Sequence, residues 1–191
     1  ENVPTGIVHP PDPIDLTYEQ YQMRRDLGRK LGEKGWLWPT APVEYGGGGL
    51  SLDYSVIIEE EIDNVGMTLP PYYDSGGKLG GASILVWGSE EQKQFFLKLI
   101  FRGEVRTWQL LSEPEAGSDL ANVQTRAELD GDEWVISGQK VWTSWAEWAD
   151  WCFMLCRTDP DAEPKHRGIS YFVLDVRQPG ITIQPIIDIR G

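Results

Sequence analysis

Apolar positions in this chain keep two rhythms, and the change falls near Gly103. From Tyr18 to Lys34 they recur at helical spacing, with Met23, Leu27 and Leu31 on one face, which predicts a helix. Gly32 and Gly35 stand where that helix should stop. Trp36-Leu37-Trp38-Pro39 follows, then a turn-rich run ending in Gly46–Gly49. A second helix is expected from Ser51 or Asp53, either of which can cap it, to about Val65. Its apolar positions are Leu52, Val56, Ile57, Ile62 and Val65. Gly76–Trp87 reads as a third, tightly packed helix. Ser89-Glu90-Glu91-Gln92 has the form of a capping box and opens a fourth, reaching about Arg102. Ahead of all these, Pro4, Pro10, Pro11 and Pro13 predict an extended, irregular start.

Beyond Gly103 the segments shorten to strand length. Arg126–Leu129 and Glu133–Ser137 flank Asp130-Gly131-Asp132, a hairpin signal. Lys140–Ser144, Trp151–Arg157, Gly168–Asp175 and Ile181–Gln184 are expected to be further strands, with Asp159–His166 as a polar loop. The expected class is α+β: an all-α helical domain over residues 1–103, then a small antiparallel β-barrel or sandwich over residues 104–191.

Charge narrows the function. Among 191 residues, 17 Lys and Arg face 30 Asp and Glu, a net charge of −13. A nucleic-acid or anionic-membrane binder needs clustered cations, so both are disfavoured. No apolar run approaches the roughly 18 residues of a membrane span. The opening Glu1-Asn2-Val3-Pro4 carries neither a basic-then-apolar leader nor an initiator Met, so a processed or cut chain is expected. Cys152 and Cys156, if on one strand, lie about 13 Å apart, beyond the roughly 7 Å a disulfide allows. They read as reduced core thiols of a cytosolic protein. His9 and His166 are too few and too isolated for a zinc site. Glu59-Glu60-Glu61 reads mostly as solvated helix surface, because consecutive helical residues point different ways.

No Rossmann or P-loop glycine pattern is present, and Gly46–Gly49 alone reads as a flexible turn. Two segments could carry chemistry. In the first, Trp108–Leu120, an apolar strand runs into Ser112-Glu113-Pro114 and then a tight Ala116-Gly117-Ser118-Asp119 turn. Backbone amides near Gly117, with the Ser112 and Ser118 hydroxyls, suit an anion such as phosphate, and equally suit a self-bonded turn. The second is Gly138–Trp145. Trp142 beside Thr143 and Ser144 offers a stacking face and hydrogen bonds for a flat heteroaromatic ring, or simply packs in a Trp-rich core.

Taken together the segments are far less ambiguous. SEPEAGSDL followed by GDEWVISGQKVWTS resembles the acyl-CoA dehydrogenase family, whose pattern is roughly T/S-E-P-x-A-G-S-D and then G-D-x-(apolar)-x-(apolar)-x-G-x-K-x-W. Gly35–Leu37 through Pro42–Gly47, the helix after it, and Gly88–Lys93 also look like this family. The resemblance runs from about Tyr18 onward.

That resemblance implies a helical N-terminal domain, a middle β-domain that holds FAD, and a C-terminal helical domain that is missing from this sequence. It implies that Gln109, Leu111 and Ser112 contact the flavin ring. Gly117 and Ser118 lie by the FAD pyrophosphate, with Ser118 also near the acyl-CoA. Trp142, Thr143 and Ser144 cover one flavin face and bond near its reactive nitrogen. The implied reaction is α,β-dehydrogenation of an acyl-CoA: a glutamate takes the α-proton and the β-hydrogen leaves as hydride to flavin N5. Electron-transfer flavoprotein is the implied acceptor, and a homo- or hetero-oligomer is expected. The family's catalytic glutamate lies beyond residue 191, so no catalytic residue is named. The chain is therefore expected to be part of a longer enzyme. A non-catalytic partner subunit and an acyl-CoA oxidase are the alternatives. The Trp142-Thr143-Ser144-Trp145 and Leu69-Pro70-Pro71-Tyr72-Tyr73-Asp74 variants look like those of bacterial, cytoplasmic members acting on bulky acyl-CoAs such as steroid side chains.

Overall fold

A computed structural model describes residues 17–65, 77–143 and 146–187. The chain divides into two compact units between Val105 and Arg106.

In the first unit, α1 spans Tyr18–Glu33. Thr17 and Gln20 cap it reciprocally: Gln20 N–H donates to Thr17 Oγ1 at 3.2 Å, and Thr17 N–H donates to Gln20 Oε1 at 2.9 Å. Its far end closes as a Schellman turn. Trp36 N–H reaches the Leu31 carbonyl at 2.8 Å, and Gly35, at φ +72°, donates to Gly32 at 3.0 Å. Gly32 serves a different purpose, since a Cβ there would lie 2.4 Å from the Arg102 carbonyl oxygen. The buried face is Tyr21, Arg24, Arg25, Leu27, Gly28 and Gly32, whereas Met23 and Leu31 are half-buried. Of the predicted apolar stripe, Leu27 lies in the packed face while Met23 and Leu31 mark its margin. Two arginines stand at its centre, and Arg25 Nη2 donates to the Glu104 carbonyl at 3.1 Å.

The glycine run is not a loose turn. Gly48, Gly49 and Leu50 donate to Trp38, Ala41 and Pro39 carbonyls at 2.7–3.0 Å, and a side chain at Gly47 or Gly48 would strike backbone. Helix α2 spans Leu52–Asn64, with Ser51 at its cap position. The remaining helical segment alternates geometry: a π-helical turn at Gly77–Gly81, α3 at Ala82–Trp87, α4 at Glu90–Gln92, a second π-helical turn at Lys93–Leu97, and α5 at Lys98–Phe101. The Ser89–Gln92 capping box is present, with bonds of 3.2 and 2.9 Å. Leu97, Ile100 and Phe101 are fully buried and join Tyr21, Leu27, Tyr45 and Ile84 in the core of this unit. Residues 66–76, among them Gly76 at the start of the expected third helix, lie outside the described residues.

The second unit is a five-stranded sheet: β1 Thr107–Leu110, β2 Arg126–Asp130, β3 Glu133–Ser137, β4 Trp151–Arg157 and β5 Ile169–Asp175. The α+β class stands, but the sheet is mixed. Strands β2 and β3 form the predicted hairpin, and β4 and β5 pair antiparallel along their full length. Strand β1 pairs parallel with β4, and β2 meets β4 in parallel at Arg126–Arg157. Because β5 fills one edge of β4, β1 and β2 share the other. The parallel contacts arise because β1 and β4 are separated by the whole hairpin excursion, long enough to bring the chain back in the same direction.

Strand β4 is the centre of this unit. Cys152 and Cys156 are buried on one face and Phe153 on the other, where it stacks on Tyr171 at 5.4 Å. Burial on both faces explains the unbroken apolar run from Trp151 to Cys156. Trp108, Ala149, Cys152 and Leu174 pack together in a buried hydrophobic cluster. Two expected strands are not formed: residues 140–143 and 181–184 have no ladder. The first is instead tied down by side chains, as described next.

Candidate functional site

Strand β1 ends at Leu110 and the chain turns sharply. Glu113 and Ala116 close a two-residue turn over Pro114-Glu115, exchanging backbone bonds of 2.8 and 3.2 Å. Pro at the first turn position fixes φ where such a turn needs it. Three groups converge on the Glu113 carboxylate, whose side chain is only 4% exposed. Thr125 N–H donates to Oε1 at 2.9 Å, Gln124 N–H to Oε2 at 2.5 Å, and Lys140 Nζ to Oε1 at 2.8 Å. Burial alone would raise this carboxyl. The Lys140 ammonium and the two backbone donors outweigh it and hold Glu113 near 2.

Lys140 belongs to the stretch that leaves β3. Its side chain is 5% exposed and also donates to the Leu111 carbonyl at 3.2 Å. Val141 N–H donates to the Ser112 carbonyl at 3.0 Å, and Thr143 Oγ1 donates to the Gln109 carbonyl at 3.3 Å. Residues 140–143 thus run beside the end of β1 and its continuation. The approach to this stretch is equally constrained. A Cβ at Gly138 would lie 2.4 Å from Thr125 Oγ1 and 2.7 Å from its Cα, so only glycine passes there without displacement. Thr125 in turn accepts from Arg157 N–H at 2.7 Å, tying the junction to the end of β4. The Arg157 guanidinium donates to the Val123, Ala121 and Lys165 carbonyls and holds the loop that follows Ser118.

At the crest sits Trp142. Its φ is +62°, and no other described non-glycine residue has a positive φ. A bulky side chain in the left-handed region is strained, and such strain is found where a surrounding structure imposes it. The result is an indole 75% exposed.

The structure therefore brings Gln109, Leu111, Ser112, Trp142 and Thr143 together on one junction. Gln109, Leu111, Ser112 and Thr143 are half-buried there. Gly117 and Ser118 are exposed on the turn beyond Ala116, and nothing lies within 4 Å of where a Gly117 Cβ would stand. The fold does not require glycine at that point. Ser144 lies outside the described residues. Sequence reading gave the Glu113–Lys140 pair no part. The available signal was a lone lysine inside the otherwise uncharged run from Val135 to Trp142, with a glutamate in the partner segment.

Other chemistries find no support among the described residues. No cluster of His, Cys, Asp and Glu could hold a metal ion. Cys152 and Cys156 are free and buried, and burial pushes their thiols up to about 12 and about 11. No helix is long and apolar enough to cross a membrane.

Comparison with known proteins agrees along most of the chain. Residues 10–104 match the family model of the acyl-CoA dehydrogenase N-terminal domain, and residues 109–191 match that of the acyl-CoA dehydrogenase middle domain. The acyl-CoA dehydrogenase IpdE1 of Mycobacterium tuberculosis is 41% identical over 176 residues, covering 91% of this chain and 45% of the relative. The solved structure described as "Tcur3481-Tcur3483 steroid ACAD" is 38% identical, with a TM-score of 0.74, covering 87% of this chain and 42% of that one. A glutaryl-CoA dehydrogenase from Mycobacterium smegmatis, solved in complex with FADH2, is 27% identical, with a TM-score of 0.67, over 87% of this chain and 42% of that one. The chain spans about half the length of the relatives it matches.

Proposed function

The chain belongs to the acyl-CoA dehydrogenase family of enzymes, and from that premise we propose that the whole protein carries out FAD-dependent α,β-dehydrogenation of an acyl-CoA thioester. The observation that carries the reading is the junction of the two motif segments, which presents an exposed indole and a positioned hydroxyl on one strand end.

The donor set suits a flavin. Trp142 offers a flat apolar face for a ring. Thr143 commits its proton to Gln109, which leaves its oxygen as an acceptor. Gln109, Leu111, Ser112 and Ser144 complete the ring contacts in this reading. The open space over Gly117 and the exposed Ser118 suit close approach of a pyrophosphate to backbone amides, with Ser118 also meeting the acyl-CoA. When bound, FAD supplies the acceptor for the hydride that leaves the β-carbon. The residues of this chain bind and orient. None removes the α-proton: Glu113 is buried and already accepts three bonds. The base is assigned to the part of the protein beyond these residues.

A relative named as a steroid enzyme favours a bulky acyl-CoA as the substrate class. Electron-transfer flavoprotein is the proposed acceptor, a homo- or hetero-oligomer the proposed assembly, and the cytoplasm the proposed location.

The test is the visible spectrum of the full-length protein, before and after a mixture of acyl-CoAs without oxygen. A flavin band that bleaches is the expected result. A colourless protein that takes up no added FAD overturns the reading in favour of a non-catalytic partner subunit. Fast reoxidation of the reduced protein by oxygen makes it an oxidase instead.

A further inference from the structure

We propose that Lys140, locked by Glu113, is the positioning residue that holds Trp142 and Thr143 in register with β1. The inference deepens the flavin reading above and rests on it.

Residues 140–143 have no strand ladder to fix their height. Their hydrogen bonds are closely spaced: Lys140 to Leu111 and Glu113, Val141 to Ser112, and Thr143 to Gln109. Within them Trp142 is held at φ +62°, a conformation that a bulky residue leaves if it can. Restraint is needed on both sides of the strained residue. Thr143 provides it on one side with a single 3.3 Å bond. On the other side Val141 N–H donates to the Ser112 carbonyl at 3.0 Å, and Lys140 backs that bond with two from one ammonium, at 2.8 and 3.2 Å.

A lysine beside a dinucleotide site invites a simpler role, that of a cation for phosphate. The geometry argues against it. The side chain is 5% exposed, and its ammonium is engaged with Glu113 and Leu111. Its charge is cancelled within the fold, so what it transmits is position. Glu113 is equally enclosed, and its bonds to Gln124 and Thr125 anchor the clamp to the start of β2. The pair fastens the end of β1, the exit of β3 and the entrance of β2 at one point, and the exposed indole rides on that point.

The test compares full-length wild type with Lys140→Met, Lys140→Arg and the doubly neutral Glu113→Gln/Lys140→Met. The first readout is amide hydrogen exchange at Val141 without added FAD. The second is FAD affinity and the shape of the bound flavin's visible band. Losing the lysine bonds should speed exchange at Val141 and weaken FAD binding, each by about tenfold, and should shift the flavin band. Lys140→Arg, which can still reach Glu113, should recover most of both. The double variant leaves no buried charge unpaired, so it keeps the fold, yet it should not recover the flavin band. Wild-type FAD affinity and band shape in Lys140→Met overturn the proposal. So does full recovery in the double variant, which would make the pair a matter of charge burial alone. If the wild type takes up no FAD, the flavin reading falls. Unchanged exchange at Val141 in Lys140→Met would then sink the clamp itself.

Discussion

Trp142 reverses the usual ranking of substitutions. A left-handed φ costs an ordinary residue about 1–2 kcal/mol, and glycine escapes that cost. Trp142→Gly should therefore be more stable than Trp142→Ala by about 1 kcal/mol in denaturant unfolding, the opposite of the order inside a helix or strand. Equal stabilities would mean the residue is not held at φ +62°. Both variants should lose FAD affinity, because the exposed indole contributes surface rather than core. Glu113 makes a second prediction. Its carboxyl is held near 2 in the folded protein, against an ordinary value of 4.5. As pH falls from about 4.5 toward 2, the unfolded chain takes up this proton first, so stability present above that window is lost through it. The share is at most roughly 3 kcal/mol. Glu113→Gln should flatten this acid limb while lowering stability at neutral pH by about 3–5 kcal/mol, since Lys140 is left buried without its partner. Urea midpoints from pH 7 to pH 3 measure both, and parallel slopes in wild type and variant would refute the assignment.

The elements differ in how plainly the sequence announces them, for physical reasons. The capping box at Ser89–Gln92 was legible because the bonds that close it span three residues. Ser89→Ala should cost about 1 kcal/mol of thermal stability, and no change would mean the cap bonds contribute nothing. The β2–β3 hairpin was legible through Asp130-Gly131-Asp132, and β4 through a run apolar on both faces. The buried face of α1 was legible only at Leu27. It centres on Arg24 and Arg25, which a hydropathy pattern counts as solvent-facing, and whose burial depends on partners distant in sequence, such as the Glu104 carbonyl. The parallel pairing of β1 with β4 was hidden for the same reason, being a contact across more than forty residues. In the site, the motif residues were named from resemblance, but their junction depends on Lys140 and Glu113, 27 positions apart. The strand expected at Lys140–Ser144 is, over its described residues 140–143, an irregular stretch held by side chains. Gly138→Ala tests how tightly its approach is built. The new methyl would meet Thr125, so stability should fall by about 1–3 kcal/mol and Val141 should lose exchange protection. A variant as stable as wild type would show that this crossing has slack.

At the scale of the whole chain, charge and uncovered apolar surface pull in opposite directions. A net charge of −13 keeps copies apart. Yet α2 buries none of its residues, and Leu52, Tyr54, Val56 and Ile57 are each more than half exposed. The β2–β3 hairpin likewise leaves Leu129 and Val135 more than half exposed. Isolated apolar residues at a surface are ordinary, but several together on one helix mark a surface suited to being covered. The chain spans 45% of a 41%-identical relative, and the prediction is that the rest of the protein covers these side chains. These 191 residues produced alone should bind the hydrophobic dye ANS strongly, and the full-length protein much less. Val56→Ser/Ile57→Ser should lower dye binding by the short chain without moving its unfolding temperature, because α2 contributes no buried side chain whose loss would be felt. If the double substitution instead unfolds the short chain, α2 packs inward in solution and its apolar side is core. If dye binding is equally strong in the full-length protein, the face remains open and awaits a separate partner.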